Sequence, residues 1–280
     1  MKAARFEYAR AESLNHALDI LDAERSRIKV MAGSQSLGPM LNLRLVRPES
    51  VIDISSLSML RNVTKDGSTL CIGAGVTHAE IEDGVYELLR GHPWQSVAAA
   101  IAYRSIRNRG TVGGSIAHAD PAADWVLAAT AMNAVIEITS KLSTRRVPMT
   151  HFMQAAYTTV LEDQEIITAI HIPVMNDQVR WGYYKFCRKV GEFADASCAA
   201  YFDPTSRVAN LVVGALDGAP KSLTTLAQIV AQKGWPATGR ETITEHVSDN
   251  LASLDTLNQK MLVTVISRCL DRAFNTKGPA

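Results

Sequence analysis

Two short segments carry residue types that suit ligand chemistry. Residues 110–124 read Gly110-Thr111-Val112-Gly113-Gly114-Ser115-Ile116-Ala117-His118-Ala119-Asp120-Pro121-Ala122-Ala123-Asp124, and residues 31–37 read Met31-Ala32-Gly33-Ser34-Gln35-Ser36-Leu37. In the longer one, three glycines fall within five residues, beside hydroxyl side chains and ahead of two carboxylates. A backbone with few Cβ atoms approaches another surface closely and reaches φ > 0. The Thr111 and Ser115 hydroxyls and the bare amides are donors suited to a phosphate-bearing ligand. A tight turn is the plainer reading of an isolated Gly-Gly. The second loop shifts that balance, because it directly follows a predicted strand and two such loops can hold a pyrophosphate from two sides. The loop at Gly33 is neither G-x-G-x-x-G with an acidic residue about 20 positions on, nor a Walker loop ending in Gly-Lys-Ser/Thr.

Other chemistry is sparse. No Ser-His-Asp set or paired carboxylate points to a separate reaction, so no catalytic residue is assigned. The four cysteines, Cys71, Cys187, Cys198 and Cys269, include no C-x-x-C pair and no Cys/His cluster. An iron–sulfur or zinc site built by this chain alone is therefore not expected. His118 with Asp120 and Asp124 lacks the further ligands a metal needs. Asp124 opens a predicted helix, where capping competes with a ligand role. Asp120 precedes a proline and can simply shape the loop. Lys185 falls in an alternating strand, where a solvated face is the rival reading. Arg104, Arg107 and Arg109 read as phosphate binders, as surface charges or as contacts to a partner subunit, the last being preferred for Arg109.

The elements that must position these residues follow from patterning. Ser13 caps a predicted helix with Leu14, Leu18 and Leu21 on one face. The apolar run from Ile28 is a strand ending at Gly33, and Val51–Ile54 is another. Asp66-Gly67 turns a hairpin between 62–65 and 69–73. Thr77 and Glu80 form a capping-box pattern. Residues 94–104 read as one buried helix and 125–132 as another. Residues 135–139, 145–148 and 166–172 read as strands, with a helix near 150–154. The polar turn 175–178 marks a domain boundary. Beyond it, 181–188 and 207–215 read as strands, and Leu257, Met261, Val265 and Cys269 mark a long amphipathic final helix. The chain has 280 residues, 47% of them hydrophobic, and a net charge of +1. That allows one large or two medium domains, and nothing suggests a nucleic-acid partner. The N-terminus has no apolar signal core, and the run 97–102 is too short for a membrane span, so a cytoplasmic chain is expected.

These segments resemble a family. Ala32-Gly33-Ser34-Gln35-Ser36-Leu37, Arg44, Arg47-Pro48 and Val51-Ile52-Asp53-Ile54 are similar to the FAD-binding medium subunit of molybdenum hydroxylases, including aerobic carbon monoxide dehydrogenase and the flavin domain of xanthine dehydrogenase. The likeness continues through 106–115, 119–124, Glu165-Ile166-Ile167, Ile172-Pro173, Tyr184 to Lys189, Val213-Gly214-Ala215 and Pro220. The resemblance implies an α+β fold: a PCMH-type FAD-binding domain at 1–176, made of two α+β subdomains at about 1–57 and 58–176, then a smaller α/β C-terminal domain at 177–280. It implies that residues 32–37 wrap the pyrophosphate of FAD, and that Thr111, Val112, Gly113, Gly114 and Ser115 contact the phosphates and ribityl chain. Asp124 would hold ribityl or ribose hydroxyls, Ile101 and Ile167 would lie near the cofactor, and Lys185 would be a further contact. Ser34 stands where a second glycine is common, and Ser115 where asparagine is common. The molybdenum cofactor and two [2Fe-2S] clusters are expected on a large and a small partner subunit, in a dimer of heterotrimers. The chain is then an electron-transfer subunit; a self-sufficient flavin oxidoreductase and a flavin-free scaffold protein are the alternatives.

Overall fold

A computed structural model describes residues 2–235 and 237–275. The last residues of the expected C-terminal domain, 276–280, lie outside them. Three sheets are arranged in sequence order, which makes the fold α+β. The first is parallel, with β1 (Glu7–Arg10), β2 (Ile28–Met31) and β3 (Ser50–Asp53) in the order β1-β3-β2. Its crossover helix, Leu14–Glu24, buries Leu14, Ala17, Leu18 and Leu21 against the sheet. Ser13 Oγ accepts the His16 amide at 3.1 Å, so the expected cap forms.

The second sheet is antiparallel throughout: β4 (Val63–Asp66), β5 (Thr69–Gly73), β6 (Val135–Thr139), β7 (Thr144–Pro148) and β10 (Ile166–Pro173), in the order β4-β5-β10-β6-β7. A small hairpin, β8 (Met153–Ala155) with β9 (Thr158–Thr159), precedes β10. Between β5 and β6 the chain leaves the sheet and runs through short helices packed on one sheet face. The Thr77–Glu80 capping box forms, with the Thr77 amide donating to Glu80 Oε2 at 2.8 Å and the Glu80 amide to Thr77 Oγ1 at 3.2 Å. The expected single helix over 94–104 is two, Trp94–Ala99 and Arg104–Arg107, separated by a turn in which Ala102 takes φ 40°.

The third sheet is an antiparallel meander of β11 (Arg180–Phe186), β12 (Ala196–Asp203), β13 (Val208–Gly214) and β14 (Lys221–Ser222). Its helices are Thr224–Lys233, Gly239–Asn250 and the long Thr256–Asn275. Strand β12 escapes sequence patterning for a physical reason. Cys198, Ala200 and Phe202 pack toward the C-terminal helices, whereas Ala199 and Tyr201 pack toward the central core. With both faces buried no polar alternation remains, and alanine is a poor strand former. The helix Asp124–Ala131 is buried along its whole length, because it packs on β12 and β13 of the third sheet and against the helices Trp94–Ala99, Val112–His118 and Met149–Phe152. Its first residue, Asp124, sits where the helix meets β11 of the third sheet.

Candidate cofactor site

The two glycine segments touch. A Cβ built on Gly33 would overlap the Arg109 carbonyl oxygen and stand 2.8 Å from Gly110 Cα. A Cβ on Gly114 would reach 2.8 Å from Thr111 Oγ1 and 3.8 Å from the Ala32 methyl, so the missing side chain faces the gap between the segments. Gly33 is needed for space. Its neighbour Ser34 holds the left-handed conformation, φ 61°, although it is not glycine. Such a residue costs about 1–2 kcal/mol in backbone strain.

The segment at 110–115 is a helix start rather than a free turn. Thr111 is the N-cap of the helix Val112–His118, and its Oγ1 accepts the Gly114 amide at 3.0 Å. The Val112 amide donates to Val76 O at 3.0 Å, Gly113 to Ala74 O at 2.9 Å, and Ser115 to Thr111 O at 3.0 Å. The amides of 112–115 are thus committed within the chain, which corrects the expectation of bare amides here. What this segment offers a ligand is hydroxyl groups and the half-exposed edge at Gly114 and Ser115; the Val112 side chain is in the core. The first loop differs. Among the described residues the amides of Ser34, Gln35 and Ser36 find no partner, and the Gln35 side chain bends back to donate to Gly33 O at 2.9 Å. Leu37 starts the helix Leu37–Asn42.

Asp124 and Lys185 are brought together, which neither position implies by itself. Lys185 Nζ donates to Asp124 Oδ1 at 2.8 Å, with side chains 10% and 7% exposed. The Tyr183 hydroxyl donates to the same oxygen. Burial first, and then the Asp124 carboxylate, push the Tyr183 phenol well above its usual range, so it remains the donor. Asp124 does not cap its helix; Ala123 is the N-cap and Asp124 the first helical residue. Asp120 shapes its loop, accepting the Ala122 amide at 2.9 Å and the Tyr157 hydroxyl at 3.2 Å, and the His118 ring lies 5.2 Å from that of Tyr157. Among the described residues no group of three His, Cys, Asp or Glu is placed to hold a metal.

Ile101 and Ile167 occupy different surroundings. Ile167 is 4% exposed on β10, beside a bulge at Ile167/Ala169. Ile101 lies in the turn after Trp94–Ala99, where its carbonyl accepts Arg107 Nη1 at 2.8 Å. Arg107 also binds the Ala102 carbonyl and pairs with Glu82, while Arg104 pairs with Glu82 and Asp83. Both arginines are spent inside the chain, which overturns their reading as phosphate binders. Arg109 remains exposed. Replacing Arg107 with alanine is expected to leave Glu82 with only its contact to the exposed Arg104 and to free the Ile101 turn, at roughly 2 kcal/mol. A fall in urea midpoint with faster proteolysis at 100–103 checks this.

Sequence reasoning missed His78, which is 5% exposed and accepts the Trp125 indole N–H on Nδ1 at 3.0 Å. Burial, reinforced by Arg107, lowers its pKa to about 3, and burial lowers that of His92 to about 4. The sign of the pH effect follows. Above pH 6.5 both histidines are neutral whether folded or not. Below it the unfolded chain takes up protons that the native chain refuses. Stability is therefore expected to fall from pH 6.5 toward 4, by at most about 1.4 kcal/mol per pH unit for each histidine. Urea melts at pH 7 and pH 5 test it.

The two glycine segments interlock at a sheet-to-helix junction, and the chain as a whole is of the FAD-binding flavoprotein class. A family model described as the FAD binding domain in molybdopterin dehydrogenase matches residues 4–175. The chain belongs to that family, and it is an FAD-binding medium subunit of the molybdenum hydroxylase type, a component of FAD-dependent oxidoreductases. It is 33% identical over 220 residues to the carbon monoxide dehydrogenase medium chain of Hydrogenophaga pseudoflava, covering 78% of this chain and 77% of the relative. It is 34% identical over 201 residues to the 6-hydroxypseudooxynicotine dehydrogenase complex subunit alpha of Paenarthrobacter nicotinovorans, covering 71% and 68%. The solved carbon monoxide dehydrogenase from Hydrogenophaga pseudoflava superimposes with a TM-score of 0.89 at 27% identity, covering 98% of both chains. These names imply a multi-subunit complex. Among the described residues no helix is long and apolar enough to cross a membrane.

Proposed function

We propose that this chain is the electron-transfer subunit of a cytoplasmic molybdenum hydroxylase, working with a large molybdopterin subunit and a small iron–sulfur subunit as a dimer of heterotrimers. The observation that carries the reading is the backbone contact of Gly33 with Arg109 and Gly110. It sets the loop that bears the three unpartnered amides of Ser34, Gln35 and Ser36 beside the segment that bears the Thr111 and Ser115 hydroxyls. That donor set suits a pyrophosphate, so the residues present fit FAD. When bound, FAD supplies the redox chemistry, accepting electrons that originate at the partner subunits and releasing them to an external acceptor.

The chain's own residues bind and orient. Ala32 to Leu37 wrap the pyrophosphate, with the 34–36 amides as donors. Thr111, Gly114 and Ser115 close over it from the other side through hydroxyls and the Cβ-free edge of Gly114, while Val112 and Gly113, the latter packed against Ala74, anchor that side in the core. Asp124 keeps Oδ2 for ribityl or ribose hydroxyls while Oδ1 holds Lys185 and Tyr183 in place. Ile101 and Ile167 shield the cofactor from water. The boundary between the FAD-binding domain and the C-terminal domain falls near residue 176, between β10 and β11.

Gly114→Val places a branched side chain in the gap facing Ala32. The purified variant is expected to lose its flavin absorbance while keeping its far-ultraviolet spectrum. Full occupancy in Gly114→Val would show that the segment is misassigned, and a colourless wild-type chain that takes up no FAD would favour a scaffold protein. The isolated chain is expected to bind FAD and to oxidise no substrate with a dye as acceptor; turnover by the chain alone would favour a self-sufficient enzyme.

A further inference from the structure

The backbone at Gly110 is sandwiched. On one side lies Gly33, close enough that a Cβ there would stand 2.8 Å from Gly110 Cα. On the other lies the edge of the His78 ring: a Cβ on Gly110 would come to 2.7 Å from Nε2 and 2.9 Å from Cδ2. The order Gly33, Gly110, His78 thus runs from the first loop through the second segment to a buried side chain, with no side chain between them.

His78 is itself held from several directions. Its amide donates to Gly110 O at 2.9 Å. Its Nδ1 accepts the Trp125 indole N–H at 3.0 Å, the two rings 5.9 Å apart. Its helix, His78–Glu82, is locked by the Thr77–Glu80 capping box, and Thr77 pairs with Thr111 across an isolated bridge. Behind it, Trp125 lies 4.6 Å from Trp94, centroid to centroid, and both are fully buried. The ring is neutral at any ordinary pH, so Nδ1 stays an acceptor and Nε2 carries the hydrogen. Trp125 follows Asp124 directly, which links this column to the residue that holds Lys185.

We infer that His78 is a positioning residue: its ring, braced by Trp125 and Trp94, is the backstop that sets the spacing of the two glycine segments and through it the affinity for a nucleotide pyrophosphate. The inference rests on the reading of those segments as the FAD clamp. A looser column lets Gly110 drift away from Gly33 and opens the gap in which the phosphates are held.

The test uses the full chain and three substitutions. His78→Phe keeps a ring but removes the acceptor, leaving the Trp125 N–H buried and unpaired. His78→Asn keeps an acceptor oxygen near the place of Nδ1. Trp125→Phe keeps His78 and removes the donor together with part of the buried ring volume. FAD affinity is read by titration, and local order by amide hydrogen exchange at 109–116, where the Val112 and Gly113 amides bond to Val76 and Ala74. His78→Phe is expected to weaken FAD binding about tenfold, the size of one buried hydrogen bond, and to speed exchange at 109–116 more than in β5. His78→Asn recovers most of both, a rescue that loss of ring packing alone would not show. Trp125→Phe shows the same pattern, and it decides the matter if His78→Phe does not fold. Unchanged affinity and unchanged local exchange in a folded variant overturn the inference. So does uniform acceleration over the whole chain without rescue by asparagine. If the wild-type chain binds no FAD, the clamp reading fails, while the exchange comparison still decides whether His78 positions the segment.

Discussion

Gly33→Ala is expected to release the flavin from a chain that otherwise folds. The added methyl would overlap the Arg109 carbonyl oxygen and stand 2.6 Å from its carbon. These are backbone atoms, and Arg109 cannot give way easily. The Gly110 amide is tied to Ile106 O at 2.7 Å and the Gly110 carbonyl to the His78 amide. The first loop must therefore move, carrying with it the free amides of Ser34, Gln35 and Ser36. Loss of the two-sided grip is expected to weaken FAD binding by about 100-fold, roughly 2.8 kcal/mol. The sheets lie outside this contact, so the far-ultraviolet spectrum and the flavin-free melting temperature should change little. Retention of FAD at wild-type strength would mean that the 32–37 loop does not hold it. Ser34 provides a useful contrast. It bears backbone strain without any overlap, so Ser34→Gly is expected to be mild.

Asp124→Ala is expected to give the largest loss of stability. The carboxylate is the common acceptor for a buried tyrosine hydroxyl and a lysine 10% exposed. Removing it leaves an uncompensated cation and an unpaired phenol where the helix Asp124–Ala131 meets β11. Breaking one partner of a buried pair typically costs about 3–5 kcal/mol. Lys185→Met, which removes the charge and keeps the chain length, is expected to cost less. Asp124→Ala combined with Lys185→Met should be less damaging than the sum, because the stranded cation is gone. Denaturant melts of the three variants read this directly. Strict additivity would mean that the pair is not coupled.

Much of the architecture was legible because it rests on neighbours in sequence. The cap at Ser13, the hairpin at Asp66-Gly67, the Thr77–Glu80 box and the apolar stripe of Thr256–Asn275 depend on interactions a few residues apart, and all are present. The stripe overreaches at one end, where Leu257 is 69% exposed. Strand β12 was not legible, since a strand buried on both faces carries no period to read. The division of the arginines was not legible either. Arg104 and Arg107 look like phosphate binders until Glu82 and Asp83, more than twenty positions away, are seen to hold them.

By itself the amino-acid sequence determined which segments carry the residue types that suit a phosphate-bearing ligand. Small residues and hydroxyls cluster at 32–37 and 110–115, and that composition is a local property that no packing arrangement can supply or erase. Only the tertiary structure decided which groups remain for the ligand. It spent the amides of 112–115 on Val76, Ala74 and a helix cap, and left those of 34–36 free. It joined Asp124 to Lys185 across 61 positions, and it set His78 behind Gly110. The reason is that a donor is available only if no nearer acceptor claims it, and the acceptors here arrive from distant strands and helices that the chain brings together only when it folds.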